Sequence, residues 1–323
     1  MSRETIHRLT WDTGEGEQFP VFVRELRGDG PGPVLLLVGG EHGIELTGPA
    51  GIDLVCRELL DARFTGTVLA MPSIAPCNIR YRNHTRNQPR GQRYTYEMPY
   101  NTWAKWPGRA DGDPAERLCH LVWTQIVPRA DVTINFHTWC RNSAGCLFTS
   151  AGVPGMQAIA ENFGMSFHVL DDLHDERCLH GLLLHEGRRA ALVELRGQWR
   201  IEPDELERVR NGIYNTMVTL GMLTRPLVLP RPSFRFRDEA TVVAPRDGLF
   251  IPLKAADQIA RQGECVGYLL DLDTGERLDI HSPIDGAVWL VARTGTGPDV
   301  RLEGLHAYAE KGDLLLLVKE TVS

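Results

Sequence analysis

Residues 39–49, "GGEHGIELTGP", carry two side chains that can bind a metal ion, His42 and Glu45, three positions apart. They directly follow the apolar run "PVLLLV", which is typical of a buried strand. Imidazole nitrogen and carboxylate oxygen are both zinc ligands, and a catalytic zinc site typically uses three protein ligands and leaves one position to water. The pair therefore predicts two of the three ligands of a zinc site, with a solvated turn as the alternative.

His137 is the best candidate for the third ligand. It ends another apolar run, "DVTINFHT" (131–138), which predicts a strand. Sites on parallel sheets form beyond the carboxyl ends of neighbouring strands, so two strand ends that are far apart in sequence can meet there. A histidine whose hydrogen bonds are satisfied within the core is the alternative.

Glu194 lies at the end of a further predicted strand, "AALVEL" (190–195). A carboxylate buried after an apolar run is costly unless it has a role. Attack of water on an amide needs a group that takes the proton of the water and returns it to the leaving amine. A glutamate at a strand end suits this role, and an ion pair with Arg196 or with another of the many arginines is the alternative.

Strands and helices are predicted around these residues. Over the first two thirds of the chain, short apolar runs alternate with segments of helical period, a pattern typical of an α/β sheet with helices packed on it. The clearest helix is 202–221, in which apolar residues recur at three- to four-residue spacing. The predicted strands are 33–40, 67–73, 131–138 and 190–195, and the other predicted helices are 48–64 and 113–127.

The last third of the chain has a different character. Three prolines interrupt 224–236 and favour a linker there. Beyond it, short apolar runs are separated by Asp-Gly, Gly-Glu and Thr-Gly turns, which are typical of an all-β domain. We therefore expect an α/β domain at 1–228, a linker at about 229–237 and a small β domain at 238–323.

Composition limits the classes of function. With 323 residues, 42% of them hydrophobic, the chain can bury a large core. A net charge of −7 with both signs interspersed provides no basic face, which argues against nucleic acid as a partner. No apolar run is long enough to span a bilayer and the N-terminus lacks the apolar core of a signal peptide, so we expect a cytoplasmic protein with no membrane partner. The seven cysteines form no CxxC, which indicates reduced thiols.

Three dispersed segments, "GGEHGIELTGP", "FHT" and "LVELRGQWRIEPDELERVRNGIYNTMVTLGML", resemble the succinylglutamate desuccinylase/aspartoacylase family of zinc-dependent deacylases, relatives of the zinc carboxypeptidases. The resemblance extends to "KWPGRADGDPAERLCHLVW" and to the "SPIDG" turn, and covers most of the chain. It implies a zinc-carboxypeptidase-like mixed sheet flanked by helices, with a smaller C-terminal all-β domain. It also implies one Zn²⁺ per chain, held by His42, Glu45 and His137, with Glu194 as the general acid/base.

The segment 78–96 contains five arginines. The resemblance places one of them, Arg93, where the family polarises the scissile carbonyl and stabilises the oxyanion. A guanidinium presents a fixed fork of donors, which suits this role. Arg86 is the second choice, and a solvated basic loop is the alternative.

Two departures from the family concern its polar side chains. Trp103 and Ala104 stand where the family has an Asn-Arg pair that holds a carboxylate, although a shifted alignment restores Asn101. Asn135 replaces the aspartate of the family's strand-end Asp-Leu-His. Trp103, Asn101 and Arg141 are, with Arg86, the candidates for contact with the substrate. Because the metal and acid/base positions are kept while recognition positions change, the sequence predicts a hydrolase with an altered substrate.

The expected function is zinc-dependent hydrolysis of an amide bond, other than a peptide bond, in a small N-acylated compound. A carboxypeptidase-like or cyclic-amide hydrolase, or a non-catalytic binding protein on the same fold, are the alternatives. We expect a small-molecule substrate as the partner, and the sequence is compatible with a homo-oligomer. The histidine-rich segment 170–187 favours a mobile loop bordering the site over a second metal site.

Overall fold

A computed structural model of the chain describes residues 3–88, 95–139, 143–170, 175–229, 234–293 and 307–322. Its internal contacts divide the chain into two compact units. The first unit takes most of the described residues up to 229, and the second takes those from 234 onward together with Trp139 and residues 143–145. The residue limits expected for the two domains remain a prediction, because the expected linker lies partly outside the described residues.

The first unit is built on a mixed sheet of eight strands. Neighbouring strands lie in the order β1-β2-β4-β3-β5-β8-β6-β7. The central four, β4, β3, β5 and β8, run parallel to one another, whereas β2 joins β4 and β6 joins β8 in antiparallel fashion. The strands are β1 Glu4–Asp12, β2 Gln18–Arg27, β3 Val34–Gly39, β4 Thr67–Met71, β5 Val132–Thr138, β6 Cys146–Ser150, β7 Phe167–Leu170 and β8 Arg189–Leu195.

Helices flank this sheet, which confirms the expected α/β class. Of these, α1 and α4 both pack against α6, and α5 packs on β5 and β8. In α6 the buried stripe of Val209, Ile213 and Met217 follows the predicted spacing, and the helix stops before Gly221, whose φ of +71° favours glycine. The helices are α1 Thr47–Leu59, α2 Pro76–Tyr81, α3 Pro114–Gln125, α4 Met156–Phe163, α5 Leu179–His185 and α6 Pro203–Thr219.

Helix α5 falls in the segment that was expected to be a mobile loop. Leu179, His180, Leu183 and Leu184 are buried, so apolar packing holds this part of the segment in a helix. Residues 171–174, which include His174, lie outside the described residues.

Three parallel strands in the middle of the sheet end at the same edge. β5 lies between β3 and β8, and every residue of β5 is buried, as expected for a parallel strand covered on both faces. His137 and Glu194 are paired in register near the ends of β5 and β8. Because β3 is the neighbour of β5, the turn after β3, which carries His42 and Glu45, lies at the same edge as these two side chains.

The second unit is all-β in its described residues, which confirms the expected class of the C-terminal region. It has two antiparallel sheets, ordered β9-β16-β14-β11 and β13-β12-β10-β15, with a core of its own that includes Phe250, Val266 and Leu316. The strands are β9 Arg235–Val243, β10 Gly248–Pro252, β11 Ile259–Ala260, β12 Cys265–Leu270, β13 Arg277–His281, β14 Gly286–Arg293, β15 Tyr308–Ala309 and β16 Leu314–Val322.

A short segment from the middle of the chain also belongs to the second unit. The backbone N–H of Ala144 donates to the carbonyl of Trp289 at 2.7 Å, and the rings of Trp139 and Trp289 lie 5.9 Å apart. This pairing joins residues almost 150 positions apart, which local sequence patterns do not encode.

Two expectations drawn from composition can be compared with the described residues. None of the helices in these ranges combines the length and the apolar character that a membrane span requires. The six cysteines in the described ranges form no disulfide with one another.

The N-terminal hairpin of β1 and β2 contains a buried carboxylate, Glu25, which is only 3% exposed. It accepts hydrogen bonds from Arg27, Arg129 and His7. Burial by itself would raise the pKa of Glu25, but these three partners lower it to about 2. The depressed pKa means that the charged carboxylate stabilises the fold.

We expect Glu25→Gln to lower the free energy of unfolding by about 1–3 kcal/mol at pH 7, since it removes the charge that both arginines face. Because the folded pKa lies below the unfolded value, this stabilisation is present above about pH 4.5 and is lost as the pH falls towards 2. Urea denaturation of both proteins at pH 7 and pH 3 measures it. An equal difference at both pH values would contradict a role for the Glu25 charge.

Candidate metal centre

Two glycines shape the turn that carries His42 and Glu45. Gly40 has a φ of +65°, and a Cβ there would lie 2.9 Å from the Cα of Ser73. At Gly43 a Cβ would lie 2.1 Å from the carbonyl oxygen of Asn78, so no larger residue fits. This close approach holds both candidate ligands, which are buried, at the carboxyl end of β3.

The ring of His42 is held in one orientation by Asn101. Its Nε2 lies 3.2 Å from Asn101 Oδ1, and the amide of Asn101 is itself oriented because its Nδ2 donates to the Thr95 carbonyl at 2.9 Å. In neutral His42 the proton therefore sits on Nε2 and is donated to Asn101. The lone pair of Nδ1 then faces Glu45 Oε1, 2.9 Å away.

His137 is arranged in the same way from the opposite side. Its Nε2 lies 3.4 Å from Glu41 Oε1, and its Nδ1 lies 3.0 Å from Glu45 Oε2. A carboxylate only accepts, and both nitrogens of His137 face one; Nε2 also lies 3.1 Å from Asn135 Nδ2. A His137 ring that binds a metal through Nδ1 therefore carries its proton on Nε2. The Nδ1 atoms of both histidines thus converge on the Glu45 carboxylate, with their ring centres 5.2 Å apart.

Electrostatics couple these groups. Burial opposes the charge of Glu45, but the two histidines lower its pKa below the usual range. Burial likewise opposes a charge on His137, and Glu45 and Glu41 nevertheless raise the pKa of this ring. The pKa of Glu41 is lowered to about 2, against the effect of burial, chiefly by the hydrogen bond and charge of His137.

Two imidazoles and one carboxylate form a donor set that suits zinc. A metal-bound histidine normally donates its second ring nitrogen to a neighbouring acceptor, and here both rings have one. The side chains of His42, Glu45 and His137 therefore fit the ion that the sequence predicts, although their assignment as ligands remains a prediction.

His84 is a second candidate for the third ligand. Its buried ring stacks on that of His42 with centres 4.0 Å apart, and one donor atom each from His42, Glu45 and His84 lie within 4.8 Å of one another. Burial, more than any neighbouring charge, lowers the pKa of His84. Local sequence patterns do not single out this residue, because "RNHTRN" resembles an ordinary polar loop and no spacing links it to His42.

Glu194 lies beside this group. It is 6% exposed, and its Oε2 has no hydrogen-bond partner among the described residues. Burial, with Glu45 nearby, raises the pKa of Glu194 to about 8, despite the opposing effect of His137. Arg196, its alternative partner from the sequence, instead forms ion pairs with Asp204 and Glu205.

Trp103 forms part of the surroundings of the candidate ligands. Its ring meets that of His137 edge to face at 5.0 Å and lies 6.5 Å from His42 and 5.7 Å from the buried His180. An indole is thus present next to the histidines, at the position where the resemblance leads to the expectation of an asparagine.

The remaining predicted site residues have different positions. The side-chain oxygen of Asn101 contacts His42, as described above, and also accepts from the backbone N–H of Trp103 at 3.1 Å. Arg86 pairs with Glu17 at 2.6 Å and stacks over Phe19 and Tyr100, so its guanidinium is engaged by the N-terminal hairpin and its surroundings. Arg93 and Arg141 lie outside the described residues.

A second group of metal-competent side chains occurs on β12 and β13. One donor atom each from Cys265, Asp279 and His281 lie within 4.8 Å of one another. The guanidinium of Arg277 already donates to Asp279 at 2.5 Å. The carboxylate of Asp279 is therefore already paired with a positively charged side chain, and we propose no metal site at this group.

Comparisons with known proteins show which family the chain resembles in sequence and which structures share its fold. Residues 31–220, more than half of the chain, match the model of the succinylglutamate desuccinylase/aspartoacylase catalytic domain. One curated relative, the N-alpha-acetyl-L-2,4-diaminobutyric acid deacetylase of Halomonas elongata, is 23% identical over 255 residues, which cover 75% of this chain and 72% of the relative.

Solved structures share the fold. The succinylglutamate desuccinylase/aspartoacylase of Rhodobacter sphaeroides superposes with a TM-score of 0.73 at 22% identity, covering 99% of this chain and 95% of the other. The product-bound ectoine utilization protein EutE of Ruegeria pomeroyi gives a TM-score of 0.74 at 18% identity, with 98% and 95% covered.

Proposed function

The chain belongs to the succinylglutamate desuccinylase/aspartoacylase family, and on this premise we propose that it is a zinc-dependent hydrolase that cleaves the amide bond of a small N-acylated compound. The observation that carries the proposal is the convergence of His42 Nδ1 and His137 Nδ1 on the two oxygens of Glu45. When bound to these three residues, zinc supplies Lewis acidity to the scissile carbonyl and to a water molecule.

Glu194 moves the proton in this proposal. Its buried carboxyl group, with Oε2 not hydrogen-bonded among the described residues, is available to accept a proton from the attacking water and to return it to the leaving amine. The raised pKa supports such a role, because a group that both takes and gives a proton works best when its pKa lies near the working pH.

Arg93 remains our proposed stabiliser of the oxyanion, by its position in the sequence alone. Arg86 is less suited to this role, because its guanidinium already faces Glu17 and two aromatic rings.

Trp103 distinguishes the substrate of this chain from those of relatives with an Asn-Arg pair. A bidentate arginine–carboxylate contact is planar and charge-assisted, and neither an indole nor the methyl group of Ala104 can replace it. The edge-to-face contact of Trp103 with His137 supports an apolar wall beside the candidate ligands. We therefore propose that the leaving amine carries no carboxylate at this position.

Metal analysis and a substrate panel test the proposal together. Protein purified without added zinc should contain close to one zinc per chain, and a chain that takes up none even after zinc addition would contradict a zinc hydrolase. Among N-acyl compounds with and without a carboxylate on the amine, those without it should be preferred. N-acetyl-aspartate or N-succinyl-glutamate as the best substrate would contradict our interpretation of Trp103.

The double variant Trp103→Asn/Ala104→Arg sharpens this test. Restoring the family's pair should raise kcat/KM for N-acyl amino acids relative to uncharged analogues, by roughly tenfold or more, because it adds a charge-assisted contact worth about 1.5–3 kcal/mol. Trp103→Phe, which keeps an aromatic wall and adds no charge, is the matched control. If both variants changed kcat/KM equally for N-acyl amino acids and for uncharged analogues, positions 103 and 104 would not contact the amine part of the substrate.

A further inference from the structure

Glu41, the residue before His42, is a buried carboxylate, and each of its two oxygens has a hydrogen-bond donor nearby. It is 1% exposed. Thr102 Oγ1 donates to Oε2 at 2.6 Å, and Asn135 Nδ2 donates to Oε1 at 2.9 Å. The same Oε1 lies 3.4 Å from His137 Nε2. Side chains from the loop at Thr102 and from β5 thus meet at Glu41, which has no role in the proposed mechanism.

The side chain of Asn135 completes this arrangement. It lies two residues before His137 on β5, where the family has an aspartate, and its Nδ2 is 3.1 Å from His137 Nε2. An amide at this position faces Glu41 with its donor group. This chain therefore does have a negative charge next to Nε2 of His137, but Glu41 provides it and not the residue at position 135.

We infer that Glu41 is the positioning residue of His137, and that the Glu41–Asn135 pair replaces a carboxylate at position 135. By accepting from Nε2–H, Glu41 fixes the ring so that Nδ1 faces Glu45, and its charge makes Nδ1 a stronger metal ligand. The inference rests on the proposed function, because it concerns the ion that His137 would hold.

The geometry suggests a conservative variant for the test. In Glu41→Gln the amide oxygen can still accept from Asn135 and His137, while the new NH₂ group can donate to the Thr102 hydroxyl, which can rotate to accept. The shape is kept and only the charge is lost. Loss of a partner of this kind typically weakens metal affinity by roughly 10–100-fold.

The swap variant Glu41→Gln/Asn135→Asp returns one carboxylate to the pair. Asn135 Nδ2 already lies next to His137 Nε2, so an aspartate oxygen at this position can accept from the ring directly, and the new glutamine amide can donate to the aspartate. We expect this variant to recover most of the zinc affinity that Glu41→Gln loses.

The experiment measures zinc affinity by competition with a chelator, and the ligand field of Co²⁺-loaded protein by absorption, for the full-length chain. Glu25→Gln is the matched control, because Glu25 is also buried and also contacts a histidine Nε2, but it lies in the N-terminal hairpin and contacts none of the candidate ligands in the described residues. It should lose stability and keep wild-type zinc affinity.

The outcomes separate the two claims. Wild-type protein without zinc affinity would reject the proposed function and this inference with it. Wild-type binding with unchanged affinity in folded Glu41→Gln would reject only the role of Glu41. A folded swap variant that stays as weak as Glu41→Gln would also reject it, and if Glu41→Gln fails to fold, the swap variant decides alone.

A measurement on the unmodified chain provides an independent check. Nitrogen-15 NMR of the histidine rings in zinc-loaded protein should show His137 protonated at Nε2. Protonation of His137 at Nδ1 would overturn the inference whatever the variants do.

Discussion

Replacement of Glu194 by glutamine is expected to lower turnover by roughly 10²–10⁴-fold while zinc stays bound. The amide keeps the shape of the side chain but can neither take a proton from water nor return it to the leaving amine. Because no ion pair of Glu194 exists among the described residues, the variant should melt no lower than the wild type. Turnover of the best substrate in the panel, zinc content and the melting temperature measure these effects.

Two comparisons separate a loss of proton transfer from a loss of structure. Glu194→Asp keeps a carboxyl group but draws it back by one methylene, so it should retain more turnover than the glutamine variant. Wild-type turnover in Glu194→Gln, or a loss of turnover that parallels a loss of zinc or of stability, would assign a structural role to this residue.

Removal of the His137 side chain is expected to weaken zinc binding by more than roughly 100-fold, beyond the range typical for loss of an outer partner. In His137→Ala the carboxylate of Glu45 loses one of the two nitrogens that face it. His84→Ala removes a ring that stacks on His42 and should leave the zinc affinity close to that of the wild type. Metal analysis after gel filtration and chelator competition compare the two variants.

These two alanine variants control each other, since both histidines are buried and both lie next to His42. The opposite result, with zinc lost in His84→Ala and kept in His137→Ala, would make His84 the third ligand. An equal loss in both would indicate that the packing around His42, and not one particular nitrogen, controls the affinity.

The sequence by itself determined the central strands and the polar side chains at their ends. β3 and most of β8 are continuous apolar runs and β5 has apolar residues at alternate positions, because strands buried on both faces of a parallel sheet are rich in apolar side chains. Polar residues at the ends of such runs are conspicuous, so His42, Glu45, His137 and Glu194 could be singled out without coordinates. The family resemblance and the mixed α/β fold depended on the same segments.

Other elements could not be predicted from local patterns. The hairpin of β1 and β2 mixes exposed and buried residues without a regular alternation, and its strands are held by pairing along their whole length. Likewise, α5 depends on apolar side chains that pack on β5 and β8, which a histidine-rich segment does not suggest.

Only the tertiary structure decided how the candidate ligands are oriented. Glu41 and Asn135 are 94 positions apart, and Asn101 is 59 positions from His42, yet these pairs fix which nitrogen of each ring faces Glu45. Hydrogen bonds of this kind require atoms within about 3 Å of each other, and strand order and loop packing create that proximity. The sequence thus determined which residues are available for the chemistry, whereas the fold decided which of them touch, because contacts between distant segments leave no local pattern in the chain.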